Sequence, residues 1–386
     1  MDSAPTQIGV IPDIMKRLNL RMYAMVFALV CVWVIFTLLT GGTFLSTRNL
    51  SNLSRQAAVT AILAVGMTLV IVSANIDLSV GYGAGLLGAI AAIVHVWWGQ
   101  PILLTLFIVI CIGILMGLMQ GYLVAYQRIP AFIVTLGGFL AYRGLMLAFT
   151  KGETILLPDN WLKAIGNAYL SPTLGWGLML IGIGISGFRF YRQRLGQLQY
   201  GNSEQASLLM FLLKVIGVSA LIIAFIAVMN THKGVPFPVC ILFGLAFVFH
   251  FIANHTRFGR YVYAVGGNAE AAYLSGVNVR SITLRVFATM GALMAIAGVV
   301  MTARVGSASP EAGRLLELDA IAACVIGGAS LMGGRGSIFG AILGAFVMES
   351  LNNGMSMANM DASWQDIIKG VVLVAAVGFD IASRRR

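Results

Sequence analysis

The stretch "AVGMTLVIVSANIDLSVGYGAGLLGA", residues 64–89, decides the fold. An apolar run typical of a helix reaches Asn75 and Asp77, and a second apolar run, rich in glycine, follows at once. An ionisable side chain that faces lipid costs about 2.5–3.5 kcal/mol on insertion scales, so Asp77 must face protein, water or a helix end. The pattern predicts two membrane helices joined by a break, where Asp77 either caps a helix at a turn or belongs to a pathway or hinge.

The composition supports the same conclusion for the whole chain. Of its 386 residues, 59% are hydrophobic and 10% are charged, and the mean hydropathy is +0.90. A folded soluble protein needs a charged surface that this chain lacks, so we expect an all-α integral membrane protein. The net charge of +11 fits loops near anionic lipid, or the acidic surfaces of a partner, and requires no nucleic acid.

Apolar runs predict the membrane spans, because a helix needs about 20 apolar residues to cross about 30 Å of hydrocarbon. Several runs are short and contain glycine pairs, so we expect a polytopic bundle of about 10–12 transmembrane helices, some of them broken or re-entrant. The twelve predicted spans are 22–42, 57–74, 81–98, 101–125, 131–150, 173–188, 208–229, 237–253, 285–303, 317–332, 337–353 and 364–381.

Basic residues predict the orientation, because loops rich in Lys and Arg stay in the cytoplasm. With the amino terminus inside, residues 1–21 and the loops 189–207 and 254–284 are cytoplasmic, and an even number of spans places both termini there. Residues 22–386 then form a single transmembrane domain. The basic residues on that side include Lys16, Arg17, Arg21, Arg189, Arg192, Arg194, Arg257, Arg260, Arg280, Arg285 and Arg384 to Arg386.

A second glycine-rich stretch, "LELDAIAACVIGGASLMGGRGSIFGAILGAF", covers residues 316–346. It begins with Glu317 and Asp319 and contains glycine pairs at 327–328 and 333–334. Glycine pairs let a helix stop and restart within protein, and discontinuous helices often line substrate routes. The alternative is that the glycines serve tight helix packing.

A third stretch, "NAEAAYLSG" at residues 268–276, lies in the long polar loop 254–284. It predicts a short helix in which Asn268 is the N-cap, Glu270 lies in the first turn and Gly276 ends the helix in a left-handed conformation. Such a helix can dock on a partner protein, or it can be an amphipathic helix at the membrane surface.

Motifs for catalysis are missing from the sequence. It contains no phosphate-binding GxxxxGK[ST] loop, no HExxH and no GxSxG, so we expect no ATPase, hydrolase or metal site in this chain. The four cysteines lie inside apolar runs without the spacing of a metal site or a disulfide framework.

Three motifs carry a resemblance to a known family. "ANIDLSVG", "RFGRYVYAVGGNAEAAYLSGVNV" and "ELDAIAACVIGGASLMGGRGS" are similar to the signatures of branched-chain-type ABC permeases for ribose, galactose and xylose. "NNGMSM" at 352–357 and the additional stretch 173–229 resemble the members that carry D-xylose. The resemblance implies the permease subunit of an ATP-driven monosaccharide importer that works by alternating access, with D-xylose as the substrate and ribose or galactose as alternatives.

The resemblance also implies partners and site residues. The partners are a second copy of the permease, a cytoplasmic ATPase with two nucleotide-binding modules that uses ATP and Mg²⁺, and a periplasmic sugar-binding protein, all at the bacterial inner membrane. This chain itself would hold no cofactor. The residues implied for coupling to the ATPase are Asn268, Glu270, Ala271, Ala272 and Gly276. Because sugars are neutral polyols, the candidates for the substrate path are the polar residues Asn75, Asp77, Glu317, Asp319 and Asn353.

The alternative class is a secondary transporter or channel that works alone. Such a carrier would more often have buried carboxylates in the middle of its spans, whereas here the carboxylates are predicted at span ends. A membrane enzyme would need a reactive set of residues that the sequence does not contain.

Overall fold

The computed structural model describes residues 20–199 and 208–384, and these form an all-α bundle with one pair of two-residue strands, β1 (Ile155–Leu156) and β2 (Ser307–Ala308). The predicted fold class is therefore confirmed. The helices are α1 (Leu20–Leu39), α2 (Thr47–Val72), α3 (Val80–Ala92, continued by a π-helical turn Ile93–Trp97), α4 (Ile102–Ala125), α5 (Ala131–Thr150), α6 (Trp161–Asn167), α7 (Pro172–Gln199), α8 (Leu208–Asn230), α9 (Phe237–His255), α10 (Arg257–Gly267), α11 (Ala269–Leu274), α12 (Val279–Val305), α13 (Leu316–Ile326), α14 (Ile338–Met357) and α15 (Ala362–Arg384).

The bundle has two ends that differ in structure. At one, the strand end, β1 and β2 pair antiparallel with Ile155 opposite Ala308, and α6 contacts the end of α12 through a bond from Asn167 Nδ2 to Ala303 O. At the other, the α11 end, Gly334 N donates to Val72 O at the end of α2. These contacts show that α2 ends at the α11 end and α12 at the strand end, so the two helices run in opposite directions.

Helices α2 and α12 form the centre of the bundle. In the most apolar part of α2, 89% of the residues are buried, against 6% in α7 and in α8. The peripheral helices expose large apolar side chains such as Phe107, Leu140 and Phe247. A helix that is apolar and exposed is expected to face lipid, so α4, α5, α7, α8 and α9 form the outer layer.

Small residues bring α4 and α12 into close contact. Gly113 and Gly291 face each other, and a Cβ atom added to either would overlap the backbone oxygen of the other. Close backbone approach of this kind replaces the hydrophobic effect as the source of helix association in a membrane.

Eight helices are long and apolar enough to cross a membrane within the described ranges, namely α2, α3 with its π-helical turn, α4, α5, α7, part of α8, α9 and α12. They correspond to eight of the predicted spans. The spans predicted at 22–42, 337–353 and 364–381 are the helices α1, α14 and α15.

The span predicted at 317–332 is wrong as a continuous helix. Helix α13 ends at Ile326, and its 11 residues cover only about 16 Å at 1.5 Å per residue. Gly328, Gly333 and Gly334 adopt positive φ angles in the turns that follow. The glycine pairs therefore lie in the turns that follow α13 at the α11 end. The chain crosses the bundle here as the non-helical segment 309–315 followed by the short helix α13.

Both loops predicted in the cytoplasm contain helices. Helix α7 continues to Gln199, so only residues 200–207 of the predicted loop 189–207 remain, and these lie outside the described residues. The segment 254–284 consists of α10, α11 and the start of α12 rather than irregular loop. Residues 1–19 of the predicted amino-terminal segment also lie outside the described residues.

Two helices begin inside the bundle and meet there. Gly83, near the start of α3, lies against Met294, which is about 22 Å from the start of α12 by helix rise. Gly81 lies against Gly313 and Glu317, next to the start of α13. A Cβ at Gly81 would collide with both. We call this meeting point of the two helix starts the junction.

Candidate functional site

Asp77 holds the first half of the junction in place. Its side chain is fully buried, and Oδ1 accepts hydrogen bonds from Ser79 N at 2.9 Å and Ser79 Oγ at 2.6 Å. This is an Asx turn, in which a carboxylate bonds to the backbone two residues further on. Gln120 of α4 donates to Ser79 Oγ at 2.8 Å. Asp77 Oδ2 has no hydrogen-bond partner, so only one of the two carboxylate oxygens is bonded within the turn.

Asn75 has a local role in the same break. Its Nδ2 donates to the backbone oxygen of Ser73 at 2.9 Å and to Ser73 Oγ at 3.1 Å. Ala74 adopts a left-handed conformation with φ 60°. The backbone oxygen of Ile76 accepts from Thr135 Oγ1 of α5 at 3.3 Å. The segment 73–79 is therefore an ordered, hydrogen-bonded break between α2 and α3.

Glu317 and Asp319 form the second half of the junction, in the first turn of α13. Both are buried, and Glu317 Oε2 has no hydrogen-bond partner. The N-terminus of a helix carries a partial positive charge of about half an elementary charge. The starts of α3 and α13 thus place two positive dipole ends beside three carboxylates, which explains why acidic residues are tolerated at this depth.

Asp319 also connects α13 to α14 and α15. Its Oδ2 accepts from Lys369 Nζ at 3.2 Å and from Asn352 Nδ2 at 3.0 Å. The exposed fractions of the Lys369 and Asp319 side chains are 19% and 5%, so this is a buried ion pair. A second, exposed pair between Arg314 and Asp366, at 3.2 Å, joins the same two segments.

A polar cavity of about 190 Å³ lies between α2, α12 and α14, near their strand ends. Its apolar wall consists of Val59, Met301 and Leu316. The remaining lining is polar and consists of Gln56, Thr60, Arg304, Glu349, Asn352, Asn353 and Ser356.

Hydrogen bonds between helices hold part of the cavity lining. Asn353 Oδ1 accepts from Asn49 Nδ2 at 2.9 Å, and Asn353 Nδ2 donates to Gln56 Oε1 at 3.2 Å. The Thr60 hydroxyl donates to the Glu349 carboxylate. These bonds tie α14 to α2 on one side of the cavity.

Two buried polar atoms of the lining have no hydrogen-bond partner, namely Arg304 Nε and Asn352 Oδ1. One is a donor and the other an acceptor. A buried polar atom without a partner costs about 1–3 kcal/mol. Both atoms are buried, so a ligand in the cavity would pair with them only after the Arg304 and Asn352 side chains turn toward it.

Helix α11 has the local structure that the sequence predicts. Asn268 is the N-cap, and its Oδ1 accepts from Ala271 N at 2.9 Å. Glu270 lies in the first turn, and Gly276 has φ 83°, so it ends the helix in the left-handed conformation. Thr256 and Asn278 cap α10 and α12 in the same manner. Three capped helices in succession produce the compact turns of this segment.

The exposed side of α11 contains two residues that the sequence analysis did not select. Tyr273 and Leu274 are 69% and 79% exposed, whereas Ala272 is only 5% exposed and packs into the hydrophobic core. Glu270 and Ala271 are exposed. Ala272 is thus in position to anchor the helix, while any partner would contact its neighbours.

The structure does not bring all the predicted path residues together. Asn75 and Asp77 lie together in the first half of the junction. Glu317 lies against Gly81 in the second half of the junction. Asp319 belongs to the ion pair with Lys369, and only Asn353 lines the polar cavity.

Five polar residues of this region were not predicted from the sequence, namely Glu349, Asn352, Thr60, Arg304 and Lys369. Glu349 was the one with a clear signal, because an ionisable residue inside an apolar run indicates a functional site by default. It is buried in the interior of α14, so the expectation that carboxylates lie only at span ends is wrong. In the described part of the chain, no three His, Cys, Asp or Glu residues form a group suited to a metal ion.

Comparison with known proteins gives a consistent set of matches. The family model described as branched-chain amino acid transport system / permease component matches residues 49–377. The xylose transport system permease protein XylH of Haemophilus influenzae is 45% identical over 376 residues, covering 96% of this chain and 99% of that protein. XylH of Escherichia coli K12 is 46% identical over 377 residues, with 96% and 94% covered. The ribose import permease protein RbsC of Haemophilus influenzae is 36% identical over 334 residues, with 86% and 85% covered. No solved structure matches the chain.

Proposed function

Since the chain belongs to the family of branched-chain amino acid transport system permease components, we propose that it is the membrane-spanning subunit of an ATP-driven importer for D-xylose. The choice of D-xylose as substrate rests on the difference in sequence identity between two groups of relatives. Two proteins named as xylose permeases are 45% and 46% identical over nearly the whole chain, against 36% for a ribose permease. Ribose and galactose are the alternative substrates.

The proposal requires an ATPase subunit, because the sequence has no phosphate-binding loop. This partner would hold ATP and Mg²⁺ in two nucleotide-binding modules. Helix α11 is the element suited to contact it, since it is short, capped at both ends and exposed at one end of the bundle. Glu270, Ala271, Tyr273 and Leu274 would form the contact, with Asn268 and Gly276 shaping the helix and Ala272 anchoring it.

The exposure of Tyr273 and Leu274 supports a protein partner. An apolar side chain that is 79% exposed beside charged residues is expected to be covered by a partner or by lipid. Burial of a leucine side chain contributes about 1.5–3 kcal/mol. Leu274 alone would then account for a substantial part of the docking free energy.

The orientation follows from the distribution of charge. Arg257, Arg260 and Arg280 lie in or next to α10 and α11, and Arg189 and Arg192 lie in the final turns of α7. By the positive-inside rule, the α11 end faces the cytoplasm and the strand end faces the periplasm. The first helix, α1, would then begin in the cytoplasm, and the last helix, α15, would end there. The membrane would be a bacterial inner membrane.

The strand end would receive the periplasmic sugar-binding protein, and a second copy of this chain would complete the transporter. Alternating access needs an element with two arrangements, each favoured by a different ligand. The junction is suited to this role, since α3 and α13 meet end to end without a continuous helix to make them rigid. ATP binding at the α11 end and binding-protein docking at the strand end would favour opposite arrangements.

Reconstitution tests the proposal directly. The permease, its ATPase and the sugar-binding protein are placed in proteoliposomes, and uptake of labelled D-xylose, D-ribose and D-galactose is measured with and without ATP. We expect ATP-dependent uptake with D-xylose preferred. Uptake driven by a proton or sodium gradient without ATP would refute the proposal in favour of a secondary transporter, a class in which the buried Glu349 would be expected. Preference for ribose would correct the substrate only.

A cross-linking experiment tests the role of α11. A cysteine at position 271 in a cysteine-free background should cross-link to the ATPase subunit. A cysteine at 361, at the other end of the bundle, is the control and should not. Leu274→Ser should weaken co-purification of the ATPase without affecting insertion. Full co-purification of this variant and no cross-link at 271 would show that α11 is not the coupling element.

A further inference from the structure

We propose that the polar cavity is a pentose-binding station on the transport route, in which Glu349, Asn352 and Arg304 exchange hydrogen bonds with sugar hydroxyls. This inference rests on the proposed function and assigns a substrate contact to residues of this chain. The station would hold the sugar after its release from the binding protein.

The position of the cavity fits an entry site. Arg304 is the residue before the end of α12, and Ser356 is the residue before the end of α14, both at the strand end. Ser356 is exposed, whereas Glu349 and Asn353 are 8% and 5% exposed. The cavity therefore has an open mouth formed by Ser356 and a buried, polar floor.

The chemistry of the lining fits a neutral polyol. Glu349 and Arg304 are an acidic and a basic residue that line the same cavity and lie close enough to interact, so the cavity as a whole does not demand an ion. A sugar hydroxyl both donates and accepts, so it suits a lining that contains donors and acceptors. A turn of the Asn352 and Arg304 side chains would bring their unpaired atoms, Oδ1 and Nε, to it. An apolar ligand would leave both without partners.

The size of the cavity restricts the ligand. Its 190 Å³ corresponds to roughly six water molecules at about 30 Å³ each. That is the scale of one small sugar, and it is well below the range of about 300–1,000 Å³ found for drug-sized ligands. A disaccharide would not fit without rearrangement of the helices.

Only some of the lining residues have their polar atoms bonded to other helices. Asn353 is fully engaged with Asn49 and Gln56, which makes it a positioning residue that ties α14 to α2. Asn352 uses its Nδ2 to bind Asp319, and its oxygen remains free. Sugar binding at Asn352 is therefore linked, through one side chain, to the ion pair that joins α13 and α15.

The first test blocks the mouth without disturbing the buried lining. Ser356→Trp is compared with Asp361→Trp, an exposed position nearby that does not line the cavity. In proteoliposomes with ATPase and binding protein, we expect Ser356→Trp to reduce D-xylose uptake at least tenfold while ATP hydrolysis stimulated by the binding protein persists. Asp361→Trp should leave both unchanged. Wild-type uptake by Ser356→Trp would overturn the proposal.

The second test measures selectivity, which a purely structural role would not change. Asn352→Ala and Glu349→Gln are compared with Thr68→Val, which alters a buried hydroxyl of α2 outside the cavity. We expect the two cavity variants to change the ratio of D-xylose to D-ribose uptake at least threefold, and the control to keep it. An unchanged ratio in both cavity variants would overturn the proposal. If the wild-type protein transports no sugar, the proposed function fails instead.

Discussion

The buried ion pair between Lys369 and Asp319 makes a quantitative prediction. We consider the substitutions Lys369→Met and Asp319→Asn, singly and together. Lys369→Met removes the charge that faces Asp319 Oδ2 at 3.2 Å and leaves a carboxylate that is 5% exposed. That oxygen keeps the hydrogen bond from Asn352 Nδ2. Asp319→Asn leaves Lys369, whose longer side chain is 19% exposed and can extend toward water.

The expected magnitudes follow from this difference in burial. Leaving one member of a buried pair uncompensated costs about 3–5 kcal/mol, and we assign this cost to Lys369→Met. Asp319→Asn loses a charged hydrogen bond, which costs about 1–3 kcal/mol. The double variant leaves neither member of this pair charged, and neutral replacement of a buried pair is often tolerated with little loss. It should therefore be more stable than Lys369→Met alone.

The assay is reversible unfolding in mixed detergent micelles, analysed as a double-mutant cycle. The exposed pair of Arg314 and Asp366 is the control, because a surface ion pair contributes about 0–1 kcal/mol, and Arg314→Met should have a small effect. The reasoning would be refuted by additive effects of Lys369→Met and Asp319→Asn. It would also be refuted if Arg314→Met were as damaging as Lys369→Met.

The other predictions concern single positions. Gly276→Val should weaken ATPase recruitment, because φ is 83° and a left-handed β-branched residue costs about 1–2 kcal/mol, whereas Gly276→Asn should retain it in co-purification. Gly291→Leu should destroy monodisperse protein in size-exclusion chromatography by overlapping Gly113, while Gly244→Leu, which meets no atom within 4 Å of its Cβ, should not. Asp77→Asn should lower D-xylose uptake in an assembled transporter, and unchanged uptake would reduce Asp77 to a helix-start residue. Cysteines at 192 and 257 should react with an impermeant reagent only from the cytoplasmic side, and labelling in intact cells would reverse the orientation.

Local chemistry explains what the sequence could predict. The geometry of α11 depends on Asn268 and a backbone N–H three residues later, and on Gly276 at its other end. All of these lie within one short stretch, so the pattern of residues is sufficient. The break at Asn75 and Asp77 was predictable for the same reason, since the polar side chains bond to residues two positions away.

Contacts between distant residues explain what the sequence could not predict. Residues 317–332 are apolar enough to suggest a span, but α13 stops after 11 residues and begins at Gly81, which is far away in the sequence. The polar cavity combines residues of four helices in the same way. Glu349 is an exception, because its place inside an apolar run was visible and should have been counted as a signal.

Hydropathy also cannot distinguish a central helix from a peripheral one. Helix α2 is mostly buried, and α7 is almost entirely exposed, although both are apolar enough to cross a membrane. Lipid tails and protein interior are equally apolar, so the same composition fits both surroundings. The positions of most apolar helices were therefore accessible from the sequence, but their arrangement was not.

The junction has a consequence for how the protein is inserted into the membrane. The segment 306–326 brings Glu317 and Asp319 into the bundle, and each charge at the centre of a bilayer costs about 2.5–3.5 kcal/mol on insertion scales. This segment is therefore not stable in lipid without its contact to α3. Helix α3 is synthesised long before the segment 306–326. The first half of the chain must therefore already be folded around Gly81, so that Glu317 and Asp319 can enter a protein environment rather than lipid. Insertion of the last quarter of the protein thus depends on prior assembly of α2 and α3. A larger residue at Gly81 would leave α13 at the membrane surface.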